Sequence, residues 1–305
     1  MSIDNLIKNI SGKNNPSVVG LDTHLSYIPS FIKEESFARF GKGLKAAGDT
    51  IFKFNKALID GLHDIIPAVK PQSAYYELYG WEGVRALRRT ISYARKCGLY
   101  VIVDVKRNDI GSTASAYAGA YLGSVDIDGT AAAPFNADSV TVNPYLGIDG
   151  IEPFIEKCNK FDRSIFVLVK TSNKSSGELQ DVATEDGGVY MTAAKLVGEW
   201  GKLSMGKSGY SNVGAVVGAT YPAQAEIIRK ALPNTFFLVP GYGAQGGGAD
   251  DVVPCFNPNG LGAIVNSSRG IMCAYQKNGA SERDFVKAAR DEAIRMRDEI
   301  NKKIK

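Results

Sequence analysis

Short runs of apolar, largely β-branched residues alternate along the chain with longer stretches whose apolar positions recur at helical spacing. The short runs lie at Ser17 to Asp22, Ala68 to Gln72, Leu99 to Lys106, Ser139 to Pro144, Ser164 to Lys170, Asn212 to Ala219, Thr235 to Gly241 and Gly262 to Ser268. Each predicts a strand buried on both faces. The helical pattern covers Phe37 to Ile66 with a break near Gly61, Trp81 to Lys96, Asp149 to Lys157, Val189 to Leu203 and Pro222 to Ala231. An N-terminal helix precedes the series, and a polar C-terminal helix starts at Ser281. Eight strand-helix alternations over about 250 residues or more predict an α/β fold of the (β/α)8 TIM-barrel type, since a doubly wound sheet usually needs fewer strands. No linker interrupts the alternation, so residues 1–305 are expected to form one barrel domain. Two insertions, Gly123 to Asp138 and Thr171 to Gly188, are rich in Gly, Ser, Asp and Thr and read as long irregular loops. The second follows the C-terminal end of a strand, where a barrel carries its lids.

Composition narrows the function classes. A chain of 305 residues, 44% hydrophobic, can bury a large core. Lys and Arg number 36 against 32 Asp and Glu, a net +4 that is too slight for a nucleic-acid surface but suits a small anionic ligand. Cys97, Cys158, Cys255 and Cys273 form no C-x-x-C pair, and Met-Ser-Ile-Asp-Asn lacks a signal-peptide pattern. With no apolar run near 18 residues, the expectation is a cytoplasmic protein with reduced thiols and no membrane association. His24 and His63 are the only histidines, which nearly excludes histidine triads and multi-histidine metal sites.

The third strand carries the strongest chemical signal. Val101, Val103 and Val105 fall on one face, and Tyr100, Ile102, Asp104 and Lys106 on the other. Charges that share a buried face are paired, so Asp104 and Lys106 are expected to touch at the strand's C-terminal end. A lysine among carboxylates is favoured as the ammonium and suits proton donation better than nucleophilic attack. A structural ion pair is the plain alternative. Other strands end in Gly20-Leu-Asp22, Val69-Lys70-Pro-Gln72, Lys170-Thr-Ser172, Pro240-Gly241 and Asn266-Ser-Ser-Arg269, so polar groups are expected to converge on one mouth.

Gly241-Tyr-Gly-Ala-Gln245-Gly-Gly-Gly248 contains G-x-G-x-x-G but follows the seventh strand, and no acidic ribose ligand ends the next one. It reads instead as a loop of free backbone N–H groups, completed by Ser268-Arg269-Gly270 into the phosphate site that barrels build after strands seven and eight. Gly201-Lys-Leu-Ser-Met-Gly-Lys207-Ser208 matches a P-loop pattern but follows a helix, so it reads as a helix end and turn.

These motifs resemble a known family. Asp104-Val-Lys106-Arg-Asn-Asp109-Ile-Gly-Ser-Thr113-Ala resembles the D-x-K-x-x-D signature of the orotidine 5′-phosphate decarboxylases, in the form of their longer bacterial subfamily. Gly20-Leu-Asp22, Val69-Lys70-Pro-Gln, Asn143-Pro-Tyr-Leu-Gly147, Lys170-Thr-Ser172-Asn, Pro240-Gly-Tyr-Gly-Ala-Gln245 and Ser268-Arg269-Gly270 follow in the family's order along the chain. The resemblance implies conversion of orotidine 5′-phosphate to uridine 5′-phosphate and CO2 without a cofactor or metal. It implies a charged tetrad of Lys70, Asp104, Lys106 and Asp109, with Asp109 reaching in from the partner subunit of a homodimer that shares its active sites. It also assigns Asp22 and Thr113 to the ribose, Ser172 to the pyrimidine, and Gln245 and Arg269 to the phosphate, with Pro240 in the binding site. The region after Lys170 departs most from the shorter family members.

Three other readings start from the same residues. A Mg-dependent keto-gulonate-phosphate decarboxylase would carry an acidic metal ligand where this chain has Lys70, and a cation there repels a metal. A Schiff-base aldolase needs a neutral lysine, which the carboxylates around Lys106 oppose. A phosphate-ligand binding barrel without catalysis would have no need of the tetrad.

Overall fold

Ten strands form in the computed structural model, which describes residues 2–243, 246–277 and 279–305. They are β1 (Ser17–Leu21), β2 (Ala68–Pro71), β3 (Tyr100–Arg107), β4 (Val125–Ile127), β5 (Thr130–Ala132), β6 (Ser139–Val142), β7 (Ser164–Lys170), β8 (Ser211–Val217), β9 (Thr235–Val239) and β10 (Ala263–Ser267). Eight of them close a parallel barrel in the order β1-β10-β9-β8-β7-β6-β3-β2, the fold expected from the alternation. All eight strand runs read from the sequence are present, most of them shorter by a residue or two at an end.

The alternation along β3 divides two cores. Val101, Val103 and Val105 join the outer core between strands and helices, whereas Tyr100 and Ile102 point into the barrel with Val18, Phe166, Val216, Phe236 and Ile264. Ile3, Leu6 and Ile10 of the N-terminal helix (Ser2–Lys13) belong to that inner cluster. Fully burying such side chains is worth about 1.5–3 kcal/mol each. Ile3 N donates to Asn212 Oδ1 at 3.0 Å, and Ser2 Oγ lies 2.8 Å from Tyr100 Oη, so the helix sits on residues near the N-terminal ends of β8 and β3. That end of the barrel is plugged, which leaves the C-terminal mouth for a site.

Three local expectations are corrected. The helical stretch expected over Phe37 to Ile66 is two helices, Ser30–Phe40 and Leu44–Leu62, broken at Gly41, where φ is +73°, and not at Gly61. A Cβ on Gly61 would lie 2.1 Å from Val286 Cγ1, so this glycine admits the C-terminal helix (Phe285–Ile304) instead of ending its own. The 123–138 insertion is not wholly irregular: β4 and β5 form an antiparallel hairpin around Asp128-Gly129, both at positive φ as a type I′ turn requires. A helix at Gly111–Leu122 went unread; its hydrophobic pattern is weak because Gly and Ala fill much of it.

The P-loop-like segment does follow a helix, Val189–Gly201, and turns. Lys207 N and Ser208 N donate to the Asp4 carboxylate at 3.1 and 2.9 Å. Partial burial of Asp4 opposes ionisation, but hydrogen bonds from Ser208 and Lys207 hold its carboxyl down at about 2. No helix among the described residues is long and apolar enough to cross a membrane.

Candidate active site

At the open mouth lies a cavity of about 520 Å³, of a size for a nucleotide-sized ligand. Its charged wall comes from β1, β2 and β3, neighbours in the barrel. Asp104 is central. Its Oδ1 accepts from Lys106 Nζ at 2.6 Å and Thr141 Oγ1 at 2.8 Å, and its Oδ2 from Lys70 Nζ at 2.9 Å and Gln72 Nε2 at 3.0 Å. Lys70 Nζ also lies 3.8 Å from Asp22 Oδ1. Cations and carboxylates therefore alternate along Asp22, Lys70, Asp104 and Lys106.

Burial alone would raise the pKa of Asp104, but Lys70 and then Lys106 outweigh it and hold the carboxyl well below the usual range. Lys70 is buried too; desolvation would lower its pKa, and Asp104 with Asp22 raises it above the ordinary lysine value. The two groups stabilise each other as ions. The Lys106 side chain is 46% exposed, whereas that of Lys70 is 5% exposed. Of the two lysines, Lys106 is the one open to the cavity.

The backbone aims it. Lys106 has φ +46°, in the left-handed region, which costs a side-chain-bearing residue about 1–3 kcal/mol. The β3–β6 register shifts between Val103 and Arg107. Across that shift Thr141 Oγ1 takes the amide hydrogens of Val105 and Lys106, at 3.0 and 2.9 Å. One threonine thus holds both the bulged backbone and the Asp104 carboxylate. The strained conformation breaks the alternation of the strand just where Lys106 leaves it.

Of the residues expected in the site, Asp22, Lys70, Asp104, Lys106, Ser172, Pro240 and Arg269 line this cavity. Gln245 lies outside the described residues. Asp109 and Thr113 do not line it. Asp109 is half-buried in the loop after β3, its Oδ1 accepting from Ile110 N at 2.8 Å, and Thr113 is exposed in the first turn of the Gly111–Leu122 helix. The helix that carries Thr113 starts outside the cavity of its own chain. Lys170, expected at the mouth, is fully buried elsewhere.

Gln72 and Thr141 were not singled out as site residues. Gln72 was legible, because it follows Lys70 by two and shares its face. Thr141 carries no local signal, since its task depends on the register of β6 against β3. Two buried acceptors at the cavity, Asp22 Oδ1 and Asn266 Oδ1, have no hydrogen-bond partner within the described chain. Such groups are normally satisfied, and a ligand rich in hydroxyl donors would do so.

A closed (β/α)8 barrel whose C-terminal mouth holds a lysine–carboxylate array beside an arginine and a glycine-rich loop has the form of a barrel enzyme with a charged site for an anionic ligand. The model of the orotidine 5′-phosphate decarboxylase / HUMPS family matches residues 42–283. An orotidine 5′-phosphate decarboxylase of Caldicellulosiruptor saccharolyticus is 41% identical over 298 residues, 98% of this chain and 97% of that one. That of Rhodopirellula baltica is 46% identical over 286 residues, 92% and 93% of the two chains. The structure of Leishmania donovani OMP decarboxylase superposes with a TM-score of 0.72 at 30% identity, covering 97% of this chain and 98% of that one. The chain belongs to the orotidine 5′-phosphate decarboxylase / HUMPS family.

Proposed function

We propose that this chain, acting as one barrel domain, decarboxylates orotidine 5′-phosphate to uridine 5′-phosphate and CO2 in pyrimidine biosynthesis, with Lys106 as the proton donor. The observation that carries the reading is the array itself, with Asp104 gripped by Lys70 on one oxygen and Lys106 on the other. In the reaction the bond from C6 to the carboxylate carbon breaks, CO2 leaves, and the electron pair stays on C6. That pair lies in the ring plane and cannot delocalise into the ring. A fixed positive charge is the remaining means of stabilising it. Lys106 Nζ supplies the charge, then the proton that forms the C6–H bond, and regains a proton from water.

The barrier reduction needed is roughly 20 kcal/mol or more, beyond one charge pair. Binding of the remote phosphate supplies the rest by fixing the ring against Lys106. Arg269, the 241–248 loop and Gln245 form that phosphate site, Asp22 takes the ribose, and Ser172 faces the pyrimidine with Pro240 nearby. Arg269→Ala will mainly raise KM, by about a hundredfold for a lost charge-assisted contact, with a smaller fall in kcat. Steady-state kinetics check it, and an unchanged KM would remove Arg269 from the phosphate site.

The family name also covers relatives of other chemistry, and Lys70 separates them. Its Nζ sits between Asp104 and Asp22, at 2.9 and 3.8 Å, at the position where a metal-dependent relative would carry an acidic ligand for its divalent ion. An ammonium in that place repels one and needs none. The absorbance change on loss of orotidine 5′-phosphate will therefore proceed at the same rate with EDTA present. Strict dependence on added Mg would overturn this reading.

The active form is a homodimer with shared sites. Ile110 beside Asp109, Leu78 and Trp81 just before and at the start of the helix Gly80–Lys96, and Tyr145 and Leu146 after β6 are all exposed apolar residues. Arg107 bonds Glu77 at 2.6 Å, and Asn108 bonds the Asn143 carbonyl, so these loops adjoin one another. An apolar surface around Asp109 suits a self-complementary interface. Asp109 then completes the partner's tetrad, and Thr113, in the first turn of the helix that follows, serves the partner's ribose. Cys97, Cys158, Cys255 and Cys273 are free, and the reading places the enzyme in the cytoplasm, where such thiols stay reduced.

A further inference from the structure

Lys170 ends β7, and by alternation it shares the inward face of Phe166 and Leu168. The structure turns it away from the mouth. The β7–β8 register shifts between Leu168 and Lys170, and the side chain, 0% exposed, runs beneath the 171–188 segment. There Nζ donates to Asp181 Oδ1 at 2.6 Å, with the Tyr221 ring 4.5 Å and the Tyr190 ring 5.6 Å from it. A fully buried lysine is rare unless paired, and among the described residues the carboxylate paired with this one belongs to the insertion.

The neighbour of Asp181 is Gln180. Its Oε1 accepts from Thr171 N at 2.9 Å and its Nε2 donates to Thr171 Oγ1 at 2.7 Å. Thr171 Oγ1 in turn donates to Asn173 Oδ1 at 2.6 Å, and the Asn173 carbonyl accepts from Tyr221 Oη at 3.2 Å. Gln180, Thr171, Ser172 and Asn173 all line the cavity, whereas Lys170 and Asp181 do not. On the other side, a Cβ on Gly218 would lie 2.8 Å from the Ser172 backbone, so β8 presses directly against this turn. The segment is held from both sides, by Lys170 through Asp181 and by Tyr221 and Gly218 at Asn173 and Ser172. β7 stands opposite β1 in the barrel, four places away in either direction, while the glycine-rich loop and Arg269 follow β9 and β10. In that order β7 is two places from β9 and three from β10, so the segment occupies a different stretch of the rim, the one that carries Ser172, assigned above to the pyrimidine.

We propose that the Lys170–Asp181 pair is a positioning device that clamps the 171–188 segment onto Thr171 through Gln180 and so sets the pyrimidine end of the site. The proposal rests on the decarboxylase reading above. It assigns Lys170 and Asp181 to positioning, since neither meets the substrate, and it gives Gln180 the role of carrying the clamp to the cavity wall. The free hydrogen of the Gln180 amide suits a ring carbonyl, which a pyrimidine offers on either side of its N3.

The test compares Lys170→Met, which keeps the packing of the stem beneath the tyrosines, with Asp181→Ala, which removes the carboxylate partner of the buried ammonium, and a thermal melt confirms that each variant is folded. Each is expected to raise KM for orotidine 5′-phosphate by roughly tenfold or more, with a smaller loss in kcat. The double variant should lose no more than the worse single, because both remove one interaction. Inhibition by ribose 5-phosphate, which lacks the ring, should stay unchanged in all three. Asp181→Asn, which keeps an acceptor for Nζ, should recover part of the loss. Unchanged kinetics in Asp181→Ala would overturn the proposal, and so would a parallel weakening of ribose 5-phosphate binding, the mark of a merely structural role. If the unmodified chain fails to turn over orotidine 5′-phosphate at all, the decarboxylase reading fails instead, so the two failures are distinct.

Discussion

Replacing Lys106 by alanine will lower kcat by at least about four orders of magnitude while the barrel stays folded. Two effects are lost together: proton delivery, worth about 10²–10⁴, and electrostatic stabilisation of the C6 carbanion, of similar size. The fold should survive because the Lys106 side chain is 46% exposed and its partner keeps three other donors, Lys70, Gln72 and Thr141. Asp104 is therefore not orphaned, and the stability change should stay within about 1 kcal/mol, as for an exposed ion pair. Lys106→Arg should fail nearly as badly, because a planar guanidinium cannot present a compact ammonium to C6 and is a poor proton donor. Turnover assays paired with a thermal melt test both parts. Retention of more than a few per cent of the rate by Lys106→Ala would count against the role.

Two inactive proteins will regain activity on mixing. Asp109 sits beyond the end of β3 and does not line its own chain's cavity, whereas Lys106 does. If Asp109 completes the partner's tetrad, a heterodimer of Lys106→Ala with Asp109→Ala contains one doubly defective site and one native site. Random exchange of equal amounts gives half heterodimers with one working site in two, so about a quarter of the native activity should return. Mass-tagged chains report exchange independently. Confirmed exchange without recovery would rule out the shared site.

The parts of this protein legible in sequence were those set by local periodicity. Alternation along Tyr100 to Lys106 separated the outer core from the barrel interior and placed Asp104 beside Lys106, as found at 2.6 Å. What the sequence could not carry was geometry made by two strands at once. The left-handed turn at Lys106 and the task of Thr141 both follow from a register shift between β3 and β6. The same holds at Lys170, where a shift against β8 sends an inward-facing lysine under the insertion. Glycine misled in the other direction: Gly61 resembled a helix breaker and is a contact point for Val286, a partner more than two hundred positions away. Asp109 and Thr113 take their roles from the resemblance alone, because neither lines the cavity of its own chain and periodicity carries no signal of a second chain.

The central claim is that Lys106 holds and protonates a carbanion at C6, and hydrogen exchange at that carbon tests it most directly. By microscopic reversibility, a site that protonates C6 must also remove its hydrogen from the product. Uridine 5′-phosphate incubated with the native protein in deuterium oxide should acquire deuterium at C6, followed by proton NMR, and with Lys106→Ala it should not. Exchange at an undiminished rate in the Lys106→Ala variant would contradict the account.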